Sequence, residues 1–139
     1  MPMLRRTGVL VLTATLVAAG GAPAAQAQSS QTSGRNKAIA KAMVASRGWD
    51  AAQFRCLVKL WHRESGWNHR AGNGSGAYGI PQALPGHKMA SSGRDWRTNP
   101  RTQIKWGLGY IKQRYGTPCR AWGHFNPTVG TEPNPRLAR

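Results

Sequence analysis

The sequence predicts a small, mainly α-helical (α+β) single domain, with a loop-rich segment or short β-hairpin beside a cleft. Three observations support this fold class. Several segments repeat apolar residues at helical spacing, and a stretch rich in Gly and Pro separates two of them. A chain of 139 residues is also long enough for one compact domain and short for two.

The first 27 residues are typical of a secretory signal peptide. Arg5 and Arg6 precede an apolar run over residues 8–19, and the small-residue site Ala25–Ala27 follows. The run is shorter than the ~20 residues of a spanning helix, so stable membrane insertion is not expected. The paired arginines leave twin-arginine export open, but their neighbours favour Sec export. We therefore expect a secreted or cell-wall-associated protein.

A disordered leader is predicted over residues 28–34, because Ser, Thr and Gln dominate and nothing apolar is available to bury. A first helix is predicted over residues 35–46, ending before Gly48. Its modest apolar face consists of Ile39, Ala42, Met43 and Ala45.

The second helix has the clearest pattern. Asp50 is suited to cap its N-terminus. Glu64 falls at the edge of the apolar stripe, near the core. The stripe recurs at positions i, i+3, i+4 and i+7, occupied by Phe54, Leu57, Val58 and Trp61.

Residues 68–92 contain many glycines and no sustained helical period, which predicts loops or a short hairpin. Asn99 and Pro100 then predict the start of a third helix that runs to Gly116. A short turn or helix follows at 118–122. The predicted domain spans residues 35–123, and a flexible tail is predicted over 124–139.

The composition constrains the partners. Lys and Arg number 20 against 4 Asp and Glu, so the chain favours polyanions. An exported chain without a nucleic-acid-binding motif meets anionic wall polymers rather than nucleic acid. Cys56 and Cys119 are expected to form a disulfide, because export exposes them to an oxidising environment. A monomer is expected.

Candidate acids can be tested one at a time, because Asp50, Glu64, Asp95 and Glu132 are the only carboxylates. Asp50 is explained as a cap, Asp95 should stay ionised among arginines, and Glu132 lies in the predicted tail. Glu64 remains, at a helix C-terminus in aromatic surroundings where desolvation and the helix dipole should raise its pKa. Such a group suits general acid catalysis at a glycosidic bond.

Two segments resemble motifs of the soluble lytic transglycosylase (SLT) domain of the lysozyme-like superfamily. Residues 64–68 (ESGWN) are similar to its Glu-Ser motif, and residues 76–82 (GAYGIPQ) to its Gly-Leu-Met-Gln motif. The resemblance extends over about 51–122. It is strongest to the short secreted actinobacterial form related to resuscitation-promoting and aggregation-promoting factors. The third Ala-Tyr-Asn motif of larger relatives is absent, and Cys119–Trp122 occupies that region.

The resemblance implies a lysozyme-like fold that cleaves peptidoglycan glycan strands between N-acetylmuramic acid and N-acetylglucosamine, forming a 1,6-anhydro product. Glu64 would be the catalytic acid and then base. Ser65 would orient its carboxylate and Gln82 would bind an acetamido group. Sugar rings would contact aromatic side chains, which are Tyr78, Trp106 and Tyr110; for Trp106 a core position is equally compatible.

Two alternatives remain open. A lysozyme would use the same Glu64 with a water, positioned by Asp95, in place of the muramyl hydroxyl. A non-catalytic cationic wall-binding module would need only charge and aromatic residues. No metal or other cofactor is predicted, because the four histidines have no short metal-ligand spacing.

Overall fold

A computed structural model describes residues 22–72 and 74–126. Within these residues the fold is mainly helical, as predicted. The elements in chain order are α1 (Ala22–Ser46), α2 (Ala51–Ser65), a 3₁₀ helix (Gly86–Ser92), α3 (Pro100–Tyr115) and α4 (Pro118–Phe125). Most of the predicted signal peptide and most of the predicted tail lie outside the described residues.

Helix α1 is longer than predicted. It begins at Ala22, so residues 28–34 are helical in the structure, and the expectation of a disordered leader was wrong there. Side chains of α1 explain the added order: the Ser33 hydroxyl donates to the Gly66 carbonyl at 2.9 Å, and Asn36 Nδ2 donates to the Trp67 carbonyl at 2.9 Å. The leader composition gave no sign of these contacts, because they join residues more than 30 positions apart.

The buried stripe of α1 also differs from the prediction. Its fully buried residues are Asn36, Ala40 and Val44, each one turn from the next, while Ala42 and Ala45 are exposed. A polar residue therefore occupies a core-facing position, which an apolar pattern cannot identify.

Helix α2 begins and ends as its sequence predicts. The Asp50 carboxylate accepts a hydrogen bond from the Gln53 backbone N–H at 3.0 Å, and Gly66 ends the helix with φ of 60°, a left-handed conformation that favours glycine. Leu57 and Trp61 are buried. This geometry places Glu64 in the last turn, directly before the chain leaves the helix.

The predicted disulfide is present. Cys56 on α2 and Cys119 on α4 are bonded, with their Cα atoms 4.9 Å apart. Beside it, the Gln53 side-chain oxygen accepts from the Cys119 backbone N–H at 2.9 Å. These two connections fix α4 against α2.

The segment between α2 and α3 is irregular. A short β-hairpin was one expectation for it, but the described residues show only single antiparallel bridges, between Gly72 and Tyr78 and between Tyr78 and Ala83. Helix α3 begins as predicted, with Pro100 as its first residue and the Asn99 side chain accepting from Arg101 N at 2.9 Å.

The core lies between the helices and this irregular segment. Its buried members include residues from all four α-helices, together with Trp67 and Ile80 of the segment. Among the described residues, no helix combines the length and the apolar character needed to cross a bilayer.

Candidate active site

Glu64 lines a cleft of about 270 Å³. One side, here called the loop wall, consists of residues 81–84 of the irregular segment. The other side, here called the helical wall, consists of side chains from α3 and the end of α4, namely Trp106, Tyr110, Ile111, Tyr115 and Phe125. Helix α2 contributes Leu60, Trp61 and Glu64 to the lining.

The environment of Glu64 suits an acid that keeps its proton. Burial raises the pKa of this half-buried carboxyl, and the neighbouring Arg63 cation opposes the rise. The predicted direction of the pKa shift is therefore correct, and desolvation is its main cause. The Arg63 guanidinium donates to the Phe125 carbonyl at 2.9 Å, at the end of α4.

Close packing under the cleft requires a glycine on α3. A Cβ atom added at Gly107 would lie 2.6 Å from Trp61 Cζ2 and 3.0 Å from Pro81 Cβ. Trp61 in turn contacts Trp67 edge-to-face, with ring centroids 5.2 Å apart. Helix α3 can approach Trp61 and Pro81 this closely only because position 107 has no side chain.

Gln103 supports the loop wall through Ile80, the residue that directly precedes it. Its side chain is fully buried; Oε1 accepts from the Ile80 N–H at 2.9 Å, and Nε2 donates to the carbonyls of His69 at 2.9 Å and Trp96 at 2.7 Å. Three points of the irregular segment are thereby tied to α3. No individual role was predicted for Gln103, because its partners lie 7 to 34 positions away in the chain.

Ser65 bonds to backbone carbonyls. Its hydroxyl donates to the Ile80 carbonyl at 2.7 Å and also lies 3.3 Å from the Trp61 carbonyl. The bond to Ile80 connects the end of α2 to the residue that directly precedes the loop wall. The Ser65 hydroxyl therefore bonds to the backbone around the acid, and its orienting role toward the Glu64 carboxylate stays a prediction.

Gln82 lies in the cleft, in a left-handed conformation with φ of 52°. Its Nε2 donates to the carbonyls of Gly79 at 2.9 Å and Ala71 at 3.2 Å. Because both bonds use Nε2, the side-chain Oε1 is the end of the amide that is suited to accept from a substrate N–H.

The three aromatic candidates lie in two different grooves. Trp106 and Tyr110 stack with centroids 5.2 Å apart and an interplanar angle of 12°, and both line the Glu64 cleft. Tyr78 instead lines a separate groove, where its hydroxyl donates to the Arg97 carbonyl at 2.8 Å and its ring meets Trp96 edge-on. The structure thus does not bring Tyr78 to the acid.

Asp95 has a structural role at the start of α3. One carboxylate oxygen accepts from Thr102 Oγ1 at 2.6 Å and the other from Asn99 Nδ2 at 2.7 Å. These hydrogen bonds lower the pKa of Asp95, so it stays ionised, although the cause is these bonds rather than the arginines that the sequence suggested. Asp95 is not among the residues that line the cleft.

Some cleft residues were missed by sequence reasoning. Phe125 was assigned to the flexible tail, but α4 continues to it and it lines the cleft. Lys88 and Tyr115 line it too. In the part of the chain that the structure describes, no group of three or more His, Cys, Asp or Glu residues is arranged to hold a metal ion.

Comparison with known proteins identifies one family. The model of the transglycosylase SLT domain matches residues 47–124, a segment that includes Glu64 and both walls of the cleft up to Tyr115. No curated protein sequence and no solved structure matches the chain.

Proposed function

The chain belongs to the transglycosylase SLT domain family, and from this premise we propose that it is a secreted peptidoglycan lytic transglycosylase with Glu64 as its catalytic acid and base. The family supports cleavage of peptidoglycan glycan strands in general. The observation that carries the finer assignment is the position of Glu64: a half-buried carboxyl with a raised pKa, in a cleft between an amide-bearing loop and a stacked aromatic pair.

In the proposed first step, the Glu64 carboxyl protonates the oxygen that links muramyl C1 to the next N-acetylglucosamine. The C1–O bond breaks, and its electron pair stays on the departing oxygen. A raised pKa favours this step, because more of the enzyme holds the required proton at a given pH.

In the second step, the Glu64 carboxylate takes the proton from the muramyl C6 hydroxyl while O6 attacks C1. The product is a 1,6-anhydro sugar, the carboxyl regains its proton, and no water is consumed. This scheme needs one carboxylate. Among the described residues that line the cleft, Glu64 is the one that carries a carboxylate.

Gln82 and the aromatic pair are proposed to hold the substrate. The Gln82 amide oxygen is suited to accept from an acetamido N–H. Trp106 and Tyr110 offer flat apolar surface to sugar rings. A hydrolytic lysozyme remains the nearest competitor, but Asp95, its candidate for positioning water, has both carboxylate oxygens engaged at the start of α3.

Export is part of the proposal. It is supported by the features of residues 1–27 and by the Cys56–Cys119 disulfide, which persists in oxidising compartments. Mature protein recovered from culture medium is expected to begin at Gln28, and its intact mass tests this.

The decisive experiment is mass spectrometry of the fragments released from purified peptidoglycan by the mature protein, Glu64→Gln and Asp95→Asn. We expect anhydromuramyl products, lighter than hydrolysis products by one water, and a fall of roughly 10²–10⁴ in rate for Glu64→Gln, the scale of lost acid–base catalysis. Asp95→Asn should form the same products.

Each other outcome identifies a different function. Reducing-end products would show a lysozyme, especially if Asp95→Asn also lost activity. Binding to peptidoglycan without release of fragments by any of the proteins would leave a cationic wall-binding module.

A further inference from the structure

A second groove, of about 370 Å³, adjoins the Glu64 cleft across the Trp106–Tyr110 pair. We call it the basic shelf, defined by Arg47, Ser91, Ser92, Lys105, Gly109 and Gln113. The two aromatic residues line both the cleft and the shelf. A polymer that leaves the cleft over this pair therefore reaches the shelf next.

The shelf is positively charged without a matching carboxylate among its lining residues. Arg47 and Lys105 are both exposed on it. The carboxylates in the described residues are used elsewhere: Asp50 begins α2, Asp95 begins α3, and Glu64 lies in the cleft. Two exposed cations on one concave surface favour an anionic ligand.

The polar character of the shelf narrows the ligand class. Ser92 and Gln113 supply hydroxyl and amide groups that can donate to carboxylates and bond to peptide groups, whereas the Ser91 hydroxyl already donates to the Lys88 carbonyl at 3.0 Å and can only accept from a ligand. Its surface is also open at Gly109, where an added Cβ would meet no atom within 4 Å. The shelf thus combines charge, hydrogen-bond donors and room for a branched polymer.

We propose that the basic shelf binds the carboxylates of the peptide stems carried by the glycan strand that occupies the Glu64 cleft. The proposal rests on the peptidoglycan-cleaving function proposed above. Stems are covalently attached to muramyl residues, so a strand in the cleft brings them to the adjacent groove at high effective concentration. A phosphate-bearing wall polymer on a separate chain has no such attachment, and it is the alternative that the experiment must separate.

The test measures binding to soluble glycan strands by isothermal titration calorimetry, with Glu64→Gln as the background so that the strands stay intact. One preparation keeps its peptide stems and a second has them removed by an amidase, and both are free of phosphate polymers. The shelf variant adds Arg47→Gln and Lys105→Gln. The control adds Lys41→Gln and Lys112→Gln, which remove the same charge from exposed positions on α1 and α3 that line none of the grooves described here.

For stem-bearing strands, we expect the shelf variant to bind about three- to tenfold more weakly than its background, a range set by the modest strength of exposed ion pairs. The difference should shrink at high salt. The control should show at most a small loss. Amidase leaves a lactyl carboxylate on each muramyl residue, but this group lies against the sugar rather than along a peptide, so strands without stems should bind about equally to all three proteins.

Three results would overturn the proposal. They are equal weakening by the shelf and control variants, equal weakening for strands with and without stems, and a shelf effect that appears only when phosphate polymers are restored. Failure of the proposed function is recognised separately, because it appears as an absence of released fragments with the unsubstituted protein, whereas the binding comparison still decides the shelf.

Discussion

The two walls of the Glu64 cleft are stabilised by different forces. The loop wall has little regular secondary structure and depends on side chains that bond to backbone: Gln103 from α3 and Ser65 from the end of α2. The helical wall depends on regular backbone hydrogen bonds, buried Ile104 and Leu108, and the stacked Trp106–Tyr110 pair. Substitutions of the side chains that support the loop wall should therefore affect folding most, whereas substitutions at exposed positions of the helical wall should affect substrate binding most.

The strongest test of this difference is Gln103→Leu. Leucine fills a similar volume but leaves the Ile80 N–H and the His69 and Trp96 carbonyls without their partner. At ~1–3 kcal/mol for each unsatisfied buried group, reduced by relaxation of the loop, we expect the free energy of unfolding to fall by roughly 3–5 kcal/mol. Urea unfolding of the purified protein measures it.

Gln113→Leu is the matched control for this prediction. Gln113 lies on the same helix but is exposed, so its substitution should change the free energy of unfolding by less than about 0.5 kcal/mol. Equal effects at positions 103 and 113 would show that the buried hydrogen bonds do not stabilise the loop wall.

The same difference explains what the sequence can predict. Helices α2 and α3 follow from local signals, namely apolar spacing and the capping residues Asp50 and Asn99. Gln103 and Asn36 were not recognised because their partners are distant in sequence, and a buried polar side chain interrupts the apolar pattern instead of extending it. Hydrogen bonds between residues that are distant in the chain produce no periodic pattern in the sequence.

The candidate site residues show the same limit of prediction from local sequence patterns. Glu64, Trp106 and Tyr110 are adjacent to or within well-predicted helices, and they meet in one cleft. Tyr78 lies in the irregular segment, where sequence proximity to Gln82 suggested a shared site but the turn directs its ring toward Trp96. Side-chain direction in a loop is set by tertiary contacts, which the sequence of the loop does not specify.

Tyr78 and Tyr110 therefore provide two contrasting substitutions. Tyr110→Ala removes an exposed ring that stacks on Trp106 in the cleft, so we expect the catalytic efficiency (kcat/KM) on glycan strands to fall about tenfold, with a stability loss of about 1 kcal/mol or less. Tyr78→Phe removes only the bond to the Arg97 carbonyl, so stability should fall by about 1 kcal/mol with kcat/KM nearly unchanged. Turbidity loss of a peptidoglycan suspension, together with thermal unfolding, measures both quantities. An unchanged kcat/KM for Tyr110→Ala would contradict the placement of the sugar-binding surface at the Trp106–Tyr110 pair.

The smallest expected change in the free energy of unfolding concerns Glu64 itself, which lines the cleft together with both walls. Burial raises its pKa above the ordinary 4.5, so the folded protein binds this proton more tightly than the unfolded chain does. The stabilising contribution of the protonated Glu64 carboxyl is complete at pH values below its pKa in the unfolded chain. That contribution is lost as the pH rises through its pKa in the folded protein. Glutamine at position 64 imitates the protonated form at every pH.

Glu64→Gln and the unsubstituted protein should therefore be equally stable near pH 4, and Glu64→Gln should be the more stable of the two near pH 8. The difference should stay below about 1 kcal/mol, because Glu64 is only half-buried and solvent screens its charge. Urea unfolding of both proteins at the two pH values measures it. A Glu64→Gln protein that is less stable at high pH would mean that the ionised carboxylate stabilises the fold, and the cleft would then be too well solvated to favour a protonated catalytic acid.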